Sequence, residues 1–212
     1  DKWKEQRKTA RVLLVLDVSG SMKDPAVNGG DDTKLDLAKE AAITALSEFN
    51  SADEVGLRIF TTGLGDSGTE SYLDLLPIQP MGANREGLAN RIRDQIPLYG
   101  TPLYQVASAS YQDMLVDYDP SKINAIVLLT DGKNEDEDKN DDQAQLQRLL
   151  TELQEGTAGE SAKPIRIFTI AYGERADQDT LEQIALASNA AAYDASNPEN
   201  IHKVFTAVIS NF

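Results

Sequence analysis

The sequence predicts a three-layer, doubly wound α/β domain: a mostly parallel six-stranded sheet with one antiparallel edge strand and helices on both faces. Three observations predict it. Runs such as Val12-Leu13-Leu14-Val15-Leu16 and Ile126-Val127-Leu128-Leu129 lack polar alternation, so they belong to strands buried on both faces. Amphipathic helical segments separate most strands, which is the rhythm of right-handed βαβ crossovers. One pair of strands breaks that rhythm, because a short glycine-rich loop joins them and leaves room only for a hairpin.

Residues 1–10 form a polar lead-in whose Trp3 is expected to dock onto the domain, and residues 11–212 form the domain itself. The first strand covers residues 11–17 and stops at a carboxylate, Asp17. A loop through Pro25 and Asn28-Gly29-Gly30 follows. Thr33-x-x-Asp36 then has the spacing of a capping box, with Asp in place of the usual Glu or Gln. Leu35, Ala38, Ala42, Ala45, Leu46 and Phe49 share one face of the helix it opens. Residues 55–62 are the second strand. Gly63-x-Gly65-x-x-Gly68 has the letter pattern of a dinucleotide fingerprint, but a strand follows it where that motif needs a helix, so it reads as the hairpin loop. The strand at 72–78 is then the antiparallel edge, where Pro77 is tolerated.

A short helix at 84–96 should bury Leu88, Ile92 and Ile96. The loop 97–102 leads into a helix through Leu103, Val106, Ala107 and Met114. Residues 123–130 are the next strand, 142–154 an amphipathic helix, and 165–172 a strand ending at Gly173. The helix 177–188, the brief strand 191–193, and a last helix 198–209 with Pro198 in its first turn complete the chain.

Bulk chemistry excludes several functions. Twenty basic and 35 acidic groups leave a net charge of −15, which repels nucleic-acid backbones and anionic lipid surfaces. There is no cysteine and a single histidine, so a zinc site of nitrogen and sulfur ligands cannot be assembled. His202 reads as an ordinary helix residue. No apolar run reaches transmembrane length, and the N-terminal residues lack a signal-peptide core. The chain is expected to be part of a longer polypeptide and monomeric as an isolated domain.

The chemistry gathers where strands end. Asp17-x-Ser19-x-Ser21 closes the first strand, Thr101 opens a helix, and Thr130-Asp131-Gly132 closes a later strand. In an open α/β sheet such ends face one crevice. Two carboxylates and three hydroxyls are an all-oxygen set suited to a hard cation such as Mg²⁺, with a coordination position left over. Taken singly, Ser19, Ser21 and Thr101 are also ordinary turn formers and helix caps.

Together these motifs resemble the metal-ion-dependent adhesion site of the von Willebrand factor A domain family, with a Rossmann-like sheet, and the order of elements follows that family over nearly the whole chain. The wording Tyr99-Gly100-Thr101-Pro102-Leu103-Tyr104 is similar to bacterial, cell-surface members. The resemblance implies Mg²⁺ (or Mn²⁺ or Ca²⁺) at Asp17, Ser19, Ser21, Thr101 and Asp131. It implies a protein or peptide partner whose Asp or Glu completes the coordination, an extracytoplasmic location, no enzymatic activity, and a last helix that moves on binding. Two alternatives stay open. One is an assembly module beside an ATPase, cytoplasmic, as in magnesium-chelatase-like systems. The other is a Mg²⁺-dependent phosphotransferase with Asp17 as nucleophile, which lacks its proton-transfer acid because Ser19 stands where haloacid-dehalogenase-like enzymes have Asp. The acidic run 134–142 contains Asp136-x-Asp138-x-Asn140, which starts like an EF-hand loop. Asp141 and Gln147 stand where that loop needs Gly and Glu, so the run reads as a solvated loop.

Overall fold

A computed structural model describes residues 8–136, 140–159 and 162–211. Trp3 and the centre of the EF-hand-like run, 137–139, lie outside the described residues. The strands are β1 (Ala10–Asp17), β2 (Glu54–Leu64), β3 (Glu70–Pro80), β4 (Ile123–Thr130), β5 (Ile165–Tyr172) and β6 (Ala192–Ala195). The helices are α1 (Lys34–Ala45), α2 (Met81–Arg93), α3 (Leu103–Val116), α4 (Asp142–Thr157), α5 (Gln178–Ala187) and α6 (Ile201–Ile209). One sheet runs in the order β3-β2-β1-β4-β5-β6, and every pair is parallel except β2–β3.

The apolar run of β1 divides strictly by parity, as strand geometry requires. Val12, Leu14 and Leu16 enter one core with Leu35 and Ala38 of α1, Leu88 and Ile92 of α2, and Phe205 of α6. Leu13 and Val15 enter the other with Val106 of α3, Leu149 of α4 and Ile184 of α5. Both faces are covered, so alternation is absent from the sequence where it is absent from the environment.

The capping box forms as its spacing requires. Thr33 accepts from the Asp36 backbone N–H at 3.1 Å, and Asp36 accepts from that of Thr33 at 3.0 Å. The hydroxyl of Thr33 also donates to Asp36 and holds its carboxyl below the usual range.

The second helix differs from its expected span. It begins at Met81, whose buried side chain and N–H···O=C bond to Asp53 start it early, and it ends at Arg93. Ile96 is therefore not an inner-face residue; it is 64% exposed. The cause is local: Ile96 precedes Pro97, and a residue before proline is pushed out of the helical region. The final helix is also shorter, with residues 198–200 forming a 3₁₀ turn ahead of α6.

Candidate metal centre

Strand order makes the crevice. From β1 the chain crosses by α1 to β2 on one side, and from β4 it crosses by α4 to β5 on the other. The two connections leave on opposite faces of the sheet, so a gap opens beyond the C-terminal ends of β1 and β4. In the parallel register Leu16 lies beside Leu129, which puts Asp17 beside Thr130.

Both carboxylates at this gap are fully buried, Asp17 and Asp131 each at 0% exposure. Asp17 Oδ1 accepts from the Ser19 N–H at 2.7 Å, and Oδ2 accepts from the Thr130 hydroxyl at 2.6 Å. The hydroxyls of Ser19 and Ser21 lie 3.2 Å apart, and that of Ser21 donates to Asp131 Oδ1 at 2.6 Å. Asp131 Oδ2 receives the Lys34 ammonium at 2.7 Å. Burial, with the Asp131 charge adding to it, pushes the Asp17 carboxyl from 3.8 up to about 6.

Thr101 is 3% exposed and exchanges two backbone hydrogen bonds with Glu135, at 3.0 and 2.7 Å. Its Oγ1 lies 3.4 Å from where a Cβ on Gly132 would stand, so its hydroxyl sits against the turn that follows Asp131. The strap delivering it is laced to β2. Tyr99 N–H donates to the Thr61 hydroxyl and Gly100 N–H to that of Thr62, both at 2.9 Å. Gly100 is required there, because a Cβ would come within 2.8 Å of the Glu135 carbonyl. The structure thus brings Asp17, Ser19, Ser21, Thr101 and Asp131 to one rim.

Gly20 permits close approach of the backbone: a Cβ there would stand 3.3 Å from the Leu98 carbonyl, and its N–H donates to the Tyr99 carbonyl at 2.6 Å. Two polar partners escaped the sequence reading. Thr130 was visible only as part of a motif, and Lys34 was not singled out. A sequence signal for Lys34 existed: a cation at the first position of a helix opposes the helix dipole and asks for a local anion.

Ser21, Thr101 and Asp131 open onto a cleft of about 850 Å³, whose far wall is the 174–179 segment entering α5. Glu135, Glu174, Asp177 and Asp179 line it, against Lys133 and Arg175. Arg175 pairs with Asp24. His202 is not among the lining residues and stands 4.0 Å from Glu40 on α1. Among the described residues no three His, Cys, Asp or Glu side chains converge. The candidate set is two carboxylates and three hydroxyls.

The family profile of the von Willebrand factor type A domain matches residues 12–207. The chain belongs to the von Willebrand factor type A family. Solved structures agree on its fold. A von Willebrand factor type A protein from Catenulispora acidiphila aligns with TM-score 0.72 at 21% identity, over 95% of this chain and 42% of that one. Proximal thread matrix protein 1 from the mussel byssus, with a zinc-occupied metal-ion-dependent adhesion motif, aligns at 0.67 and 16% identity, over 95% and 47%. The pilus adhesin SpaC from Lactobacillus rhamnosus GG aligns at 0.67 and 15% identity, over 98% and 31%. This von Willebrand A chain spans less than half the length of each of these three. A comparison with curated proteins found no match.

Proposed function

We propose that this domain is a divalent-cation-dependent protein-binding module and not an enzyme. In this reading Asp17, Ser19, Ser21, Thr101 and Asp131 hold Mg²⁺, with Mn²⁺ or Ca²⁺ as substitutes, and a partner's Asp or Glu fills the remaining position. One observation carries it: of two fully buried carboxylates, Asp131 is paired with the Lys34 ammonium while Asp17 has only neutral hydrogen-bond donors, leaving one buried negative charge without a counter-charge beside three hydroxyls. An uncompensated buried anion is costly, and a cation bound there relieves it. The raised Asp17 carboxyl has the same origin. Oxygen-only donors suit a hard cation, which would offset the repulsion between the two buried acids.

Asp17 is badly placed as a phosphotransferase nucleophile, since both its oxygens already accept hydrogen bonds and Ser19 replaces the acid such chemistry needs. The mussel protein's zinc-occupied motif supports a dication here, and the pilus adhesin supports an extracytoplasmic setting. Among the described residues no helix is long and apolar enough to cross a membrane.

The test is calorimetric titration with Mn²⁺, then with Mn²⁺ plus acetate as a stand-in for the partner's carboxylate. Wild type should bind one equivalent, more tightly with acetate present. Asp17→Ala should lose uptake by at least about 100-fold, and Thr101→Ala by about tenfold, with far-UV circular dichroism unchanged. Saturable uptake that survives Asp17→Ala sinks the assignment.

A further inference from the structure

Lys34 is in an unfavourable place for a cation. It is the first residue of α1, where the positive end of the helix dipole already stands. It is also buried, at 7% exposure, although lysine is rarely buried without a partner. The fold holds it there. The Tyr172 hydroxyl donates to the Lys34 carbonyl at 2.9 Å, tying the start of α1 to the end of β5. Gly173, at a left-handed φ of 78°, turns the chain at the end of β5 so that the aliphatic stem of Lys34 packs against it. The ammonium ends 2.7 Å from Asp131 Oδ2, while Ser21 holds the other oxygen of the same carboxylate.

We propose that Lys34 is a positioning residue that sets the cation affinity of the site. It fixes the orientation of Asp131 and supplies a permanent positive charge beside the cation. That charge keeps affinity for the bare ion low, and a partner's carboxylate, adding negative charge to the same cluster, restores it. Cation and partner are thereby made to bind together. The inference rests on the proposed cation site and adds a control to it.

The experiment compares Mn²⁺ binding by wild type, Lys34→Gln, Lys34→Arg and Asp17→Ala, using calorimetry and the electron paramagnetic resonance signal of free Mn²⁺. Lys34→Gln should bind Mn²⁺ at least about tenfold more tightly than wild type, because even a well-screened unit charge in such a cluster is worth that much. Lys34→Arg, which keeps the charge, should stay within about threefold of wild type. Acetate should tighten Mn²⁺ binding more in wild type than in Lys34→Gln. Should Lys34→Gln unfold without metal, Mn²⁺ should refold it; a variant still unfolded in Mn²⁺ overturns the proposal. Equal or weaker binding by a folded Lys34→Gln overturns it too, while leaving the cation site standing. No uptake by either wild type or Lys34→Gln would remove the site and the proposal together, and uptake by Lys34→Gln alone would support both.

Discussion

Buried charge around Arg58 on β2 and buried charge around Asp17 and Asp131 are closed to different degrees. The Arg58 side chain is 2% exposed, yet every nitrogen has a partner. Nε and Nη2 form a fork on Asp74 at 2.7 and 2.9 Å; Nη2 also reaches Asp113 at 2.6 Å, and Nη1 reaches the Ser110 hydroxyl at 3.1 Å. The guanidinium lies 4.0 Å from the centre of the Tyr72 ring. Those carboxylates are about half exposed, so the cluster bonds inward and drains its excess charge outward. At the other cluster the carboxylates are the buried members, and their compensation is incomplete. A buried charge with its counter-charges in place belongs to the architecture, whereas a buried carboxylate that is hydrogen-bonded but lacks a counter-charge, like Asp17, is what the proposed cation site rests on.

That contrast can be broken in several ways. Arg58→Ala should cost about 3 kcal/mol in urea denaturation, by removing the core of a buried pair and stranding Ser110, and should leave Mn²⁺ affinity unchanged. A large shift in Mn²⁺ affinity would show that the two clusters are coupled.

Acid should act on the other cluster in the opposite sense to ordinary acid denaturation. In EDTA, Asp17 has a folded value of about 6 against 3.8 in the open chain, so the folded state takes up its proton first as pH falls. This group therefore costs stability above pH 6, on the order of 3 kcal/mol, and the cost fades as pH drops from 6 towards 4. Asp17→Asn should accordingly be more stable than wild type at pH 7.5 in EDTA, with the gap closing by pH 4. Saturating Mg²⁺ should reverse the ranking at pH 7.5, because ligand stabilisation then accrues to wild type alone. Urea melts at the two pH values check this.

The smallest effect sharpens the picture nearest the site. Thr33→Ala removes the cap of α1 and should cost about 1 kcal/mol. Because Lys34 is the next residue, the loosened first turn should also change Mn²⁺ affinity, and a cap that merely stabilises would leave it alone.

Much of this arrangement could be read in the sequence, and the reasons differ by element. The strand 165–172 was legible to the residue because an apolar run between polar loops has few alternative registers. The capping box was legible because its geometry is set within four residues. Ile96 misled, since its spacing extends the helical pattern while Pro97 forbids it. Arg58 went unremarked: Val55, Leu57 and Ile59 face one core, and a lone charge on the other face of β2 gave no hint of partners on β3 and α3. Lys34 and Thr130 were missed for a related reason. Their partners stand 97 and 113 residues away, and only the register of β1 against β4 and the seating of α1 bring them together.

The flanks of the sheet carry a consequence of their own. One margin is β3, with Pro77 and a ladder broken by register shifts against β2; the other is β6, four residues long. Proline, irregular pairing and brevity are what deter a foreign strand from annealing to an open margin. Both edges therefore discourage copies of this domain from pairing strand to strand.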